Sequence, residues 1–290
     1  MKAVDRIELN GLHFCEVSAA TTVLGTTRGG WVYGSQRPCH EVRLPSFFIL
    51  KTPLRSAEVK RAFGIEVGEA EKEGWMELTS ADLEELATHL MNSDQFKTSP
   101  FAEGWTVRPP SESEWQTARA SNIIETPPGT TERLVDAPAA TYRGAMMDGR
   151  PRPNEWLGPA AQQRAAIAVH PHRSHVTALG SVPYDRPLPN VVGRLVLTPN
   201  RQGPAIRVPE STDRWANLRS ELFWTGLLGI VPSFMIPVLR GMGDYAAEGW
   251  LNLLLGGLCA GFFTGAIWRP SRPVLTLEDV KPQSSPNDSQ

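Results

Sequence analysis

Two stretches near the carboxyl end break the hydrophobic pattern of the rest of the chain. From Leu222 to Leu239 (LFWTGLLGIVPSFMIPVL) and from Trp250 to Trp268 (WLNLLLGGLCAGFFTGAIW) no charged residue occurs. At 1.5 Å rise per residue, each run suffices to cross a hydrocarbon core about 30 Å thick. Neither has the polar stripe of a helix lying on a soluble core. The pattern predicts membrane-spanning helices over 222–239 and 250–268, with the short polar stretch 240–249 closing a hairpin. Trp224, Trp250 and Trp268 lie near the run ends, where amphipathic rings favour the interface. Pro232 and Pro237 are tolerable in such a helix when neighbours satisfy the freed carbonyls. Gly257, Gly261 and Gly265 recur every fourth residue on one face, the spacing that lets another backbone approach closely. That face is expected to pack a membrane-protein partner, a second copy of the chain, or the first span with its Gly226 and Gly229.

The flanking cations set an orientation. Arg207, Arg214 and Arg219 precede the first run, and Arg269, Arg272 and Lys281 follow the second. The loop between them offers Arg240 alone, beside Asp244 and Glu248. The positive-inside rule then predicts a multi-pass membrane protein with the lipid bilayer as partner and both termini cytoplasmic. The opening MKAVDRIELNGLHF lacks the apolar core of a cleavable signal.

Upstream, residues 1–205 show short apolar stretches punctuated by Gly and Pro. Helical spacing predicts one helix over Leu54–Phe63 and another over Ser80–Met91, with Ser80 as N-cap and Leu83, Leu86, Ala87 and Leu90 on one face. Ser111 and Glu114 make a capping box before Trp115, marking a third. HEVRLPSFFIL (40–50) and RLVLTP (194–199) read as strands, and 125–154 as loop. The expected organisation is a soluble domain over 1–205, a juxtamembrane linker over 206–221, the hairpin over 222–268, and a disordered cytoplasmic tail over 269–290.

Composition narrows the chemistry. Of 290 residues, 41% are hydrophobic and 21% charged, which excludes wholesale disorder. Twenty-nine Lys and Arg against 31 Asp and Glu leave no basic excess pointing to nucleic acid. Cys15, Cys39 and Cys259 stand far apart with no C-x-x-C, against a disulfide framework or a zinc ribbon. His170, His172 and His175 put three imidazoles within six residues, a candidate divalent-metal site, although no carboxylate joins them and the plainer reading is a solvated loop with incidental histidines. Cys39 and His40 are adjacent on a strand, so their side chains diverge. Glu112 and Glu114, two apart on a helix, do not face each other. Trp31, Trp75, Trp105 and Trp156 are candidates for a ligand-lining face or for core and rim anchors.

Three blocks, taken in order, carry a resemblance. The first comprises Val23–Gly25, Pro38–Leu44 and Phe48–Leu54, with Ala57, Glu58 and Phe63. The second is Val107–Trp115 with Ala118 and Arg119, and the third Leu179–Ser181 with Pro189–Gly193. Over its N-terminal two-thirds the chain resembles the formylglycine-generating enzyme (sulfatase-modifying factor) domain. The resemblance implies an α+β, C-type-lectin-like fold with little regular structure. It also implies structural roles for His40, Arg108, Glu112, Glu114, Trp115, Asn190 and Gly193, with Arg108 paired to a buried carboxylate or carbonyl. Two departures matter. The family's late G-N-V-W-E-W and R-G-G-S-W segments, where the copper-binding cysteine pair of the oxidase branch belongs, have no counterpart before the spans. The helical domain that gives the iron-dependent branch its histidines is absent as well. The resemblance therefore implies a shortened pseudoenzyme with no catalytic residue and no cofactor. The expected function is a membrane-anchored binding or scaffolding protein, an accessory subunit of a membrane complex. The alternative is a metal-dependent oxidoreductase or hydrolase of this type, holding copper, iron or zinc at His170, His172 and His175.

Overall fold

Phe47–Leu50 (FFIL) is apolar at every position, and the strand it forms is buried on both faces. The computed structural model describes residues 6–66, 74–154, 161–168 and 177–280. Its early strands are β1 (Arg6–Leu9), β2 (Leu12–Val17), β3 (Ala20–Leu24), β4 (His40–Leu44) and β5 (Phe47–Leu50). β6 (Trp105–Arg108) and β7 (Thr131–Arg133) follow. The late strands are β8 (Gln162–Ala168), β9 (Thr177–Pro183), β10 (Val191–Val192) and β11 (Val196–Pro199). They build a central sheet β1-β2-β5-β11-β6, a second sheet β10-β7-β8-β9, and a β3-β4 ribbon.

The two-residue period of β5 divides the core. Phe48 and Leu50 point to one side, with Leu12, Phe14 and Leu197. Phe47 and Ile49 point to the other, with Val17, Val196 and Trp115. Four helices, α1 (Ser56–Ala62), α2 (Ser80–Asn92), α3 (Asp94–Lys97) and α4 (Glu112–Ala120), cover these faces. α2 lays Leu83, Leu86, Ala87 and Leu90 on the first side, and α4 lays Trp115 and Ala118 on the second. The cap of α2 is Thr79 rather than Ser80. Asp82, three residues on, accepts from the Thr79 amide at 2.7 Å, and of Thr79 and Ser80 only Thr79 has an acid at that spacing. The observed class is α+β.

Two helices are long and apolar enough to cross a membrane, Arg214–Leu239 and Trp250–Ile267. Only 6% and 17% of their most apolar windows are buried, where a soluble core helix would be mostly covered. The first begins at Arg214, inside the expected linker, because Asp213 caps it by accepting from the Ala216 amide at 2.9 Å. Residues 206–208 are not a linker either: Met146 bridges Arg207, and Val208 is fully buried.

The expected tail needs a second correction. Up to residue 280 it lies on the domain, where the Leu275 amide donates to the Cys39 carbonyl and the Glu41 amide to the Leu275 carbonyl, both at 2.9 Å. Val280 packs with Met147 and Val208, apolar surface that an unpacked tail would leave wet.

The glycine face of the second helix is filled from within the chain. A side chain at Gly229 would strike the backbone of Gly257 and Gly261, one at Gly257 would strike Ser233 and Ile230, and one at Gly261 would strike Thr225. Gly265 faces the Arg269 guanidinium. The room opened by Gly257 and Gly261 is used by the first helix.

Candidate functional site

Helix α4 positions two buried carboxylates with opposite roles. Pro109 and Pro110 cannot continue a helix N-terminally, and Ser111 caps α4 by accepting from the Glu114 amide, while Glu114 accepts from the Ser111 amide at 2.9 Å. Arg108, at the end of β6, grips Glu114 with two parallel bonds of 2.8 and 2.9 Å. Thr198 on β11 donates to the same carboxylate at 3.0 Å and Arg201 at 3.3 Å. Burial alone would raise this carboxyl, but Arg108 and Arg201 more than offset it and hold Glu114 below its ordinary value. Arg108, for which the resemblance implies a buried carboxylate or carbonyl, meets one of each: Glu114 and the Pro109 carbonyl, the latter at 2.9 Å. All of this is architecture.

Glu112, one turn-face away, sits in a different chamber. Alternation along β4 turns His40, Val42 and Leu44 inward, and alternation along β8 puts Arg164 on the same side as Ala166. The chamber that His40 and Arg164 line with Asp136 and Tyr142 holds about 30 Å³, room for one water molecule. Glu112 pairs with Arg164 across it, takes the Tyr142 hydroxyl, and accepts from Gln116 at 2.8 Å. Asp136 fastens the floor, accepting from the Glu112 and Arg152 amides at 2.6 Å each. His40 Nδ1 meets the Pro38 carbonyl at 3.1 Å, so Nδ1 carries the proton. The lone pair on Nε2 is buried and has no partner among the described residues. Burial also keeps this imidazole below its ordinary value, hence neutral.

Burial pushes Glu112 from an ordinary 4.5 up to about 7, although Arg164 and Tyr142 pull the other way. A folded-state value above the unfolded one means that its stabilising contribution is complete below 4.5 and lost as pH rises through about 7. Wild-type stability is therefore expected to decline across that window. Glu112→Gln, which mimics the protonated carboxyl and cannot titrate, should show a flatter pH profile; denaturant unfolding at several pH values reads this directly.

Tyr142 and Arg164 are also the wall of an adjoining cleft of about 620 Å³, lined further by Ser35, Gln36, Gln116 and Ser181. The Arg164 guanidinium lies 5.2 Å from the Tyr142 ring centre, so the two form one polar plate. Both oxygens of Glu112 are engaged and Tyr142 is held protonated by burial and by Glu112. The arrangement sets a buried carboxyl whose ordinary value is raised to about 7 behind a polar plate that faces the cleft.

Several residues singled out from sequence have plainly structural positions. Trp115 is fully buried in the core. Asn190 takes a left-handed turn (φ 60°) and accepts the Thr131 amide at 2.9 Å. Gly193 abuts Leu83 too closely for a side chain and accepts the Leu54 amide. Cys39 and His40 do face different cavities. None of Trp31, Trp75 and Trp105 lines the chamber or the cleft: Trp31 meets Phe262, Trp75 lies by Arg55, and Trp105 packs on Phe48 and Phe101. Trp156, His170, His172 and His175 lie outside the described residues. Tyr142, Asp136 and Arg164 escaped sequence reading, because they meet only through contacts tens of residues apart. Arg194 escaped it as well, although a charge opening the apolar run RLVL was a usable signal.

No family model matches the chain, and no curated protein matches it. Among solved structures it is similar to PvdO from Pseudomonas aeruginosa, at 14% identity over 65% of this chain and 95% of that one, with a TM-score of 0.48. It is also similar to Treponema denticola variable protein 1, at 13% identity over 67% and 98%, TM-score 0.45. The third is CarF, at 12% identity over 67% and 100%, TM-score 0.39. At such identities and scores these likenesses assign the chain neither a family nor an activity.

Proposed function

We propose that this chain is a membrane-anchored binding module. Its hairpin spans the bilayer, its termini and soluble domain lie on the cytoplasmic face, and the Tyr142–Arg164 cleft presents a polar site without performing chemistry. The module serves as an accessory or scaffolding subunit of a membrane complex. On this reading the domain descends from the formylglycine-generating-enzyme type, with its lectin-like fold, and has lost the segment that builds the oxidase site.

The observation that carries the reading is the junction between domain and hairpin. Glu221 accepts from the Trp31 indole at 3.1 Å and from Arg269 at 3.0 Å. The Arg269 guanidinium lies 5.7 Å from the Trp31 ring centre, and that ring meets Phe262 edge-on at 4.8 Å. Gly29 and Gly30 press against the backbone of 266–270 with no room for a side chain. The domain is thus seated on the helix ends, where Arg214, Arg219, Arg269 and Arg272 outnumber the single Arg240 at the far end, as the positive-inside rule asks. Buried carboxylates committed to arginine partners support a site that binds rather than reacts.

Purification in mild detergent tests the function. The expected result is a co-purifying membrane protein in fixed ratio, lost when cleft residues Gln36 and Gln116 are enlarged. Recovery of the chain alone and monodisperse contradicts the accessory-subunit reading. Stoichiometric copper, iron or zinc that disappears on replacing His170, His172 and His175 would favour the enzyme instead.

A further inference from the structure

Beside the junction, three arginines from distant parts of the chain converge on one cavity of about 240 Å³: Arg37, Arg143 and Arg272. Among the described residues none of them forms an ion pair with a carboxylate, in a molecule whose acids outnumber its bases. Glu221, the acid that Arg37 senses, is already shared by Arg269 and Trp31. Among the described residues each guanidinium hydrogen-bonds through Nη1 alone: Arg37 to the Gly29 carbonyl at 3.0 Å, Arg143 to the Ser211 and Pro209 carbonyls at 3.0 and 3.3 Å, and Arg272 to Asn217 at 3.1 Å. These bonds fix the planes and leave Nη2 and Nε for a ligand. Burial first, then mutual repulsion, lowers Arg37 and Arg143 from their ordinary values, and a bound anion would relieve that repulsion.

The cavity is not closed. Asn217, Arg272 and Pro273 line both it and a groove of about 320 Å³ that runs along Ser220 and Glu221 to Trp224 on the first apolar helix. Trp224 stacks edge-on against Trp268, their ring centres 5.7 Å apart, as an aromatic pair at a membrane interface would.

We propose that Arg37, Arg143 and Arg272 bind the phosphate of an anionic ligand, seated as a phospholipid headgroup whose glycerol and chains leave along the Trp224 groove. Three forked donors around one anion match phosphate in geometry and charge. The lipid as source rests on the membrane-anchor reading; the phosphate site itself does not.

The full-length protein in detergent is titrated separately with phosphatidylglycerol, phosphatidylcholine and the soluble probes inorganic phosphate and glycerol phosphate. Native mass spectrometry reads lipid retention, and thermal unfolding reads protection. We expect preferential retention of phosphatidylglycerol, falling roughly tenfold for each guanidinium replaced in Arg272→Gln and Arg143→Gln. Arg272 is exposed, so its variant keeps the ligand-free unfolding midpoint and separates lost binding from lost folding. Protection by the soluble probes alone, abolished by the same substitutions, keeps the site and makes its ligand a free phosphate. Equal retention and equal protection in wild type and both variants overturn the proposal, and do so whether or not the protein requires a bilayer.

Discussion

Arg194→Met is expected to cost about 3–5 kcal/mol of stability, as breaking a buried ion pair does. Arg194 is fully buried and donates to Glu132 through Nε and Nη2. It also donates to the carbonyls of Leu50 at 2.9 Å, Lys51 at 3.0 Å and Glu125 at 2.8 Å. These bonds use the whole donor fork and join β5, the 125–131 loop, β7 and the start of β11. Removal strands a buried carboxylate and three carbonyls together, and each unsatisfied group carries its own desolvation penalty. The melting temperature should fall on the order of 10 °C for a chain of this size. Glu132→Leu should be comparably harmful, because it strands the cation. The double variant should recover only part of the loss, since an apolar replacement satisfies the former pair but not the three carbonyls. A change under about 1 kcal/mol in either single variant would show that the centre is not the tie described.

The second large effect lies between the apolar helices. Gly229→Leu would place a side chain on the backbone of Gly257 and Gly261, where nothing can yield except the helix spacing itself. Overpacking of this kind costs about 1–3 kcal/mol in soluble cores. Here it also pulls on the bond from Ser233 to the Leu253 carbonyl, 2.9 Å long, which joins the helices one turn further on. Thermal unfolding in detergent should show the loss. Gly226→Leu, on the same helix but meeting open space, should leave the midpoint within a few tenths of a kcal/mol. Equal effects at the two positions would mean that the helices do not meet through Gly229.

The comparison of sequence with structure separates local from distant physics. Charge-free runs, the FFIL strand and the Ser111–Glu114 box were legible because each is decided within a few residues. The start of the first apolar helix was not: Arg214–Glu221 is polar, and what it docks on, Trp31 to Glu221, spans 190 residues. The same holds for the tail, whose Leu275 finds β4 across the whole domain. Of the candidate site, Glu112 and His40 were visible as residues but not as neighbours. Tyr142 and Arg164 arrive from a loop and from a separate sheet, and no spacing rule links them. The glycine face was visible as a contact surface, while its partner, the first helix of the same chain, was one of three readings that spacing alone left open.

The measurement that bears most directly on the whole account is alkaline carbonate extraction of membranes carrying the full-length chain. Integral spans resist that treatment, because charge screening and deprotonation do not weaken apolar contact with lipid. The prediction is that the protein stays in the membrane pellet and is released only by detergent. Quantitative appearance in the carbonate supernatant would contradict it, and would require those two exposed apolar helices to find their covering inside a soluble assembly.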